Sequence, residues 1–427
     1  MTIQFSSVSA IEILDSRGRP TLAVSATLGD GSRLRSGVPA GASTGSREAV
    51  ELRDGDTRYD GMGVRRAVAY VNGPIAESLT SRPFAALEDV DSALRQLDGT
   101  PDKSRLGANA IVGVSMVAAR AFARQSGRPL WQWLTPAGVQ ARLPVPHFNV
   151  VNGGAHARNP LDFQEFMIAP IGAPSLPEAV RAGAEVYARL RSVLAERNLA
   201  TGLGDEGGFA PEIGCPEDVL ALLMQAIGDA GYVTGTTGVA IALDPAANGF
   251  HRDGFYRVNG ETLSGDDLIE RYTNIVQKFP VWSIEDGMDE HDTAGWRKLT
   301  EKLGDRVQLV GDDNLVTNPD LIASAVRAGI GNAALIKVNQ IGTVSETLEA
   351  LAVCREAGYG AMISHRSGET TDSFIADLAV AAGCGQIKSG APARGERVAK
   401  YNRLLEITAS VSDLPFGLPM AHRPDPR

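Results

Sequence analysis

Apolar and polar positions alternate with a period of two near the start of the chain. Ile11, Ile13, Leu22, Val24 and Ala26 sit among polar neighbours, which predicts strands within residues 1–37. Glycine-containing turns at 16–20 and 29–31 break these runs. The segment VPAGASTGSRE at 38–48 is rich in small residues and has no apolar periodicity. Helical spacing follows over 60–79, 86–97 and 105–126, so the first ~130 residues read as a strand-then-helix α+β module. TPAGV at 135–139 marks a boundary, giving domains 1–135 and 136–427.

A different rhythm fills the second part. Short apolar runs lie at 239–243, 281–284, 307–311, 334–338, 360–364 and 384–388. Helical patterns occupy the intervals 265–278, 292–303, 317–328, 343–357 and 371–382. Strand and helix in alternation imply a mainly parallel sheet. Six such units after two earlier strands, near 145–150 and 163–169, predict an α/β fold with an eight-stranded (β/α)8 barrel.

The polar residues at the run ends sharpen that reading. They are Asp244, Glu285, Asp312, Lys337, His365 and Lys388, at successive spacings of 41, 27, 25, 28 and 23 residues. In a barrel the C-terminal strand ends converge on one face, where active sites lie. A doubly wound sheet would spread them along an edge.

Asp244, Glu285 and Asp312 would repel one another in one pocket unless a cation neutralised them. Oxygen-only ligands suit Mg²⁺. Read singly, each acid equally suits a helix cap. Lys337 lies in the apolar run ALIKV, where burial or nearby cations would lower its pKa and let it act as a base. A lysine snorkelling from a strand end is the plainer alternative. Glu206 lies in GDEGGFAP, whose glycines suggest backbone passing close to another element. SHRSGET at 364–370 offers Arg366 and Ser367 to an anion, and backbone N–H groups near the next helix start would add to it. Lys388 adds a second cation on that face, pointing to an anionic, phosphate-like ligand.

Composition then removes some classes. The net charge is −10 with no basic tract, which argues against nucleic-acid binding. No apolar stretch reaches the ~20 residues of a membrane span, and the N-terminus does not read as a signal peptide. Three widely spaced cysteines, Cys215, Cys354 and Cys384, read as reduced thiols in a cytoplasmic protein. Trp131, Trp133, Trp282 and Trp296 read as core or interface residues.

At this point the chain resembles the enolase family. The segments that carry the resemblance are LDSRG (14–18), GASTG (41–45), LRDGD (52–56), NGGAHA (152–157), QEFMIAP (164–170), GDEGGFAP, SIEDG (283–287), VGDD (310–313), LIKVNQIGT (335–343), SHRSGET and VAKYN (398–402). The resemblance implies a TIM-type barrel whose early strands depart from the regular order, an N-terminal α+β capping domain, and a homodimer or larger oligomer. It implies a hydro-lyase of glycolysis converting 2-phosphoglycerate to phosphoenolpyruvate with two Mg²⁺ per site. On that reading Lys337 takes the C2 proton, and Glu206, with Glu165 beside it, protonates the departing C3 hydroxyl. Asp244, Glu285 and Asp312 hold the first Mg²⁺, and Ser43 helps hold the second. Arg366 and Ser367 bind phosphate, while His156, Gln164, His365 and Lys388 line the pocket.

Several family segments are altered. LDSRG continues RPT, Asp244 is followed by PAANGF, VGDD continues NLVTN, and Arg158 stands in the loop after His156. Two alternatives follow. One is a paralogue acting on a related phosphonate, of the carboxyphosphonoenolpyruvate synthase type, with Arg158 meeting an extra negative charge. The other is mainly a binding or scaffold role.

Overall fold

The computed structural model describes residues 2–42, 45–419 and 422. Strands β1 (Phe5–Leu14), β2 (Pro20–Leu28) and β3 (Arg33–Gly37) form an antiparallel sheet. The alternation buries Leu22, Val24 and Ala26 of β2, but not the two isoleucines of β1. On β1 the buried positions are Phe5, Val8 and Ala10, whereas Ile11 and Leu14 remain 57% and 56% exposed. The helix Ala108–Ser126 covers this sheet and is buried along almost its whole length. Small residues allow that approach: a Cβ at Gly113 would lie 2.6 Å from Val24 Cγ2 and 2.8 Å from Val38 Cγ2.

The N-terminal layer meets the barrel through buried polar contacts. Asp91, on the helix Leu87–Asp98, accepts hydrogen bonds from Ser345 N (3.0 Å) and Ser345 Oγ (2.6 Å). Burial without a cation beside it pushes the Asp91 carboxyl up to about 6.

Eight strands close the barrel: β4 (Val145–Asn152), β5 (Glu165–Ala169), β6 (Ala240–Asp244), β10 (Val281–Glu285), β11 (Gln308–Gly311), β12 (Ala333–Ile336), β13 (Gly360–Ser364) and β14 (Gln386–Lys388). The predicted alternation of strand and helix is therefore correct. The intervening short strands β7 (His251–Arg252), β8 (Phe255–Val258) and β9 (Glu261–Leu263) form a separate antiparallel sheet that periodicity did not signal. Their alternation is too brief to stand out. After them, Ser264 and Asp267 form a capping box that starts the helix Gly265–Lys278 where the pattern placed it.

One strand breaks the parallel order. β5 runs antiparallel to both β4 and β6, so Glu165 pairs with Asp244 and Ala169 with Ala240. Toward the other end of the barrel a neutral layer fills the interior. Gln308 and Gln386 exchange side-chain amide hydrogen bonds of 2.9 and 2.8 Å, and Gln308 Nε2 also donates to Ser283 Oγ at 3.1 Å.

Candidate active site

The strand ends gather as the spacing predicted. His156, Gln164, Glu165, Glu206, Asp244, Asp312, Lys337, His365, Arg366, Ser367 and Lys388 line one cavity, together with Ser364. Glu285 stands behind this wall, bonded to Lys388. Ser43 lies outside the described residues.

Lys388 organises one half. Its Nζ lies 2.9 Å from Asp244 Oδ2, 2.8 Å from Glu285 Oε1 and 3.2 Å from Glu165 Oε1. Burial disfavours its charge, but the three carboxylates outweigh that and hold it well above the usual lysine range. Burial, reinforced by Asp244, lifts Glu285 well above the usual carboxylate range. Glu285 Oε2 and Glu165 Oε2 are buried with no hydrogen-bond partner among the described residues. These orphaned oxygens, in an all-oxygen donor set with excess negative charge, fit a hard divalent cation.

Asp312 is differently engaged. Its Oδ2 meets Lys337 Nζ in a close ion pair, and its Oδ1 accepts from Gln340 Nε2 at 2.8 Å. The acids whose oxygens converge with those of Asp312 within 4.8 Å are Asp286 and Asp313, not Asp244 and Glu285. This second cluster is the poorer cation site. Asp286 spends its two oxygens on the backbone N–H groups of Asp312 and Asp313, at 2.8 and 3.0 Å, so it braces the loop. Lys388 meanwhile sits where Asp244 and Glu285 converge. Lys337 also departs from expectation. Burial would lower its pKa, but the Asp312 carboxylate outweighs it and the net shift is upward.

The other half carries the second pair of carboxyls. Glu206 Oε2 lies 3.1 Å from His365 Nε2 and accepts from Asn149 Nδ2 at 3.1 Å. His156 lies 3.7 Å from both Glu206 Oε1 and Glu165 Oε1. Burial and the Glu206 charge push Glu165 well above the usual range. Burial opposes ionisation of Glu206 as well, but His365 and His156 overcome it and hold it well below. Two neighbouring carboxyls are thus driven apart, one toward a held proton and one toward a charge. The glycines beside Glu206 serve as expected: a Cβ at Gly208 would lie 2.8 Å from Asn152 Oδ1 and 3.0 Å from Val151 N.

The anion-binding segment differs from its prediction in one respect. The helix after SHRSGET begins only at Phe374, so its N-terminal N–H groups do not fall within 364–370. Arg366 is instead gripped by Glu48, at 2.8 and 3.1 Å, and donates to Asn339 Oδ1 at 3.2 Å. Ser367 Oγ lies 3.0 Å from His156 Nε2.

Glu48, Asn149 and Arg397 escaped sequence reasoning. Glu48 closes the small-residue segment 38–48, and Asn149 is a polar residue within the apolar run of β4. Arg397 immediately precedes VAKYN, so the motif was a usable signal.

Buried acids and lysines at the mouth of a closed, capped barrel define an acid–base lyase scaffold for an anionic ligand. Residues 5–134 match the family model "Enolase, N-terminal domain", and residues 140–415 match "Enolase, C-terminal TIM barrel domain". The chain is 53% identical over 407 residues to "Enolase" of Acidothermus cellulolyticus, covering 95% of this chain and 94% of that protein. The chain belongs to the enolase family.

Proposed function

We propose that this protein dehydrates 2-phosphoglycerate to phosphoenolpyruvate, with Lys337 and Glu206 in the two proton-handling roles. The observation that carries this reading is that both side chains line one cavity together with Glu165, Asp244, Asp312 and Arg366. Lys337 Nζ takes the proton from C2. Glu165, the carboxyl of the pair that holds a proton, shares that acid site and passes the proton to Glu206, which delivers it to the C3 hydroxyl, and this leaves as water. Arg366 and Ser367 hold the phosphate, while His156, Gln164, His365 and Lys388 shape the pocket.

Asp244, Glu285 and Asp312 would hold Mg²⁺, and Ser43 would help hold a second ion. Bound there, the metal supplies positive charge against the extra negative charge that builds on the substrate carboxylate. The chain's own contribution is to fix the carboxylates and lysines beforehand, so that little reorganisation accompanies proton removal. We assign 1–135 to the cap and 136–427 to the catalytic domain. We further propose a cytoplasmic homodimer or larger oligomer. The exposed Ile11 and Leu14 supply apolar surface for such contact, and light scattering on the purified protein tests it. Among the described residues no helix is long and apolar enough to cross a membrane.

The deciding assay is turnover of 2-phosphoglycerate with Mg²⁺. Brisk formation of phosphoenolpyruvate is expected, and no formation overturns the reading. Arg158, the residue that motivated a phosphonate substrate, is exposed in the 153–164 loop. Among the described residues, no contact of Arg158 favours that alternative.

A further inference from the structure

Arg397 lies outside the cavity wall, yet its guanidinium is fully buried behind it. Nη1 donates to His365 Nδ1 at 2.5 Å and to the Arg366 carbonyl at 2.7 Å. Nη2 donates to the carbonyls of Ser367 (2.5 Å) and Asp205 (3.2 Å) and to Ser16 Oγ (3.4 Å). A guanidinium has five N–H donors, no acceptor, and a charge it keeps in proteins. The His365 Nδ1 facing it must therefore present a lone pair. A neutral imidazole with a bare Nδ1 carries its hydrogen on Nε2, and that nitrogen faces Glu206 Oε2 at 3.1 Å. Glu206 Oε2 thus accepts from both His365 and Asn149. Glu206 Oε1 accepts no hydrogen bond from any described residue, its nearest basic neighbour being His156 Nε2 at 3.7 Å.

We propose that Arg397 is a positioning residue that locks His365 in its Nε2–H tautomer, commits Glu206 Oε2 to that bond, and leaves Glu206 Oε1 as the oxygen that takes up the catalytic proton and hands it on. The inference rests on the reading of Glu206 as the acid. It identifies which oxygen works and what holds the other still. The charged groups facing His365 are Glu206, Arg397 and Lys388, and those facing Glu206 are His365, His156, Arg397 and Glu165. Burial, aided by Arg397 and Lys388, pushes His365 down to about 3, so the imidazole stays neutral near pH 7. The same guanidinium holds the carbonyls of Arg366 and Ser367, so one side chain sets the acid and the phosphate grip together.

The test is ¹⁵N-histidine NMR on the full-length protein, whose six histidines keep the spectrum small. The His365 signals are identified by their loss in His365→Gln. The Nε2–H pattern is expected from pH 6 to 8. An Nδ1–H or imidazolium pattern in that range overturns the proposal, and this measurement needs no Arg397 variant. In a second arm, Arg397→Gln should lower kcat by about 10²-fold or more and give the pH profile a new limb where His365 titrates. It should retain exchange of the C2 proton, and Arg397→Lys should recover the Nε2–H signal. Unchanged kcat and pH profile in a folded Arg397→Gln also overturn the proposal. If Arg397→Gln does not fold, the wild-type spectrum decides. Inactivity on 2-phosphoglycerate alongside an Nε2–H spectrum would instead remove the reaction and leave the tautomer standing.

Discussion

The same barrel strands carry two polar layers that differ in kind. Ser283 on β10, Gln308 on β11 and Gln386 on β14 close hydrogen bonds on one another with no formal charge. Two residues further along β10 and β14, on the same inward face, stand Glu285 and Lys388. There Lys388 faces three carboxylates, and among the described residues Glu165 Oε2, Glu285 Oε2 and His156 Nδ1 are left without hydrogen-bond partners. The lower layer is matched within the protein. The upper one is matched only in part, which costs stability and leaves donors and acceptors aimed at a ligand.

The largest expected effect lies in the upper layer. Lys337→Ala should lower both C2 proton exchange and turnover by about 10²–10⁴-fold. Glu206→Gln should lose turnover but retain exchange, as followed by deuterium loss from labelled substrate. Equal loss of exchange in both variants would contradict the division of roles. Next, Lys388→Met strands Asp244, Glu285 and Glu165 together. Without divalent cations it should lose about 3–5 kcal/mol in urea unfolding, and added Mg²⁺ should recover part of that. Unfolding indifferent to Mg²⁺ would place the cation elsewhere.

Asp91 extends the comparison to an acid buried between the two domains without a cation. Its pKa is raised from 3.8 to about 6, so between those values the folded protein holds a proton that the unfolded chain releases. That stabilisation is fully present below about pH 4 and is lost as pH rises through about 6, amounting to about 3 kcal/mol. Asp91→Asn lacks this dependence, so its stability relative to the parent should improve between pH 4 and 7. A constant gap across that range would refute it. The smallest effect belongs to the lower layer. Gln308→Leu leaves Gln386 short of its amide partner and should cost about 1–3 kcal/mol, with proton exchange unchanged. The double change Gln308→Leu/Gln386→Leu should cost less than the single one, and a larger, additive loss would mean the amides do not act as a closed pair.

Much of the upper layer was legible from spacing. A βα repeat forces each strand to end on the same rim, so Asp244, Glu285, Asp312, Lys337 and Lys388 declared themselves by position alone. Glu165 and Glu206 did not, because one opens a strand and the other lies in a loop between helices; flanking glycines gave Glu206 a weak signal, and the family motifs marked both. Pairings that close over long sequence separations were illegible. Nothing local indicates that Glu48 grips Arg366, that Asp312 holds Lys337, or that Arg397 reaches His365. Ile11 shows the converse limit. Alternation marks a strand, but it does not say which face will be covered.

The reversal of β5 has a consequence for how the site can change. A strand running against its neighbours brings its first residue to the mouth, so Glu165 stands level with Asp244. The turn before it, carrying His156, and the loop 203–211, carrying Glu206, both open on the same rim, held to β4 through Val151 and Phe209. The regular repeats supply the carboxylates and lysines on one side of the cavity, while His156, Gln164, Glu165 and Glu206 on the other come from this one inverted passage. On the proposed roles the chemistry is modular: residues 152–211 could be remodelled for another leaving group while the strands proposed to hold the metal keep their register.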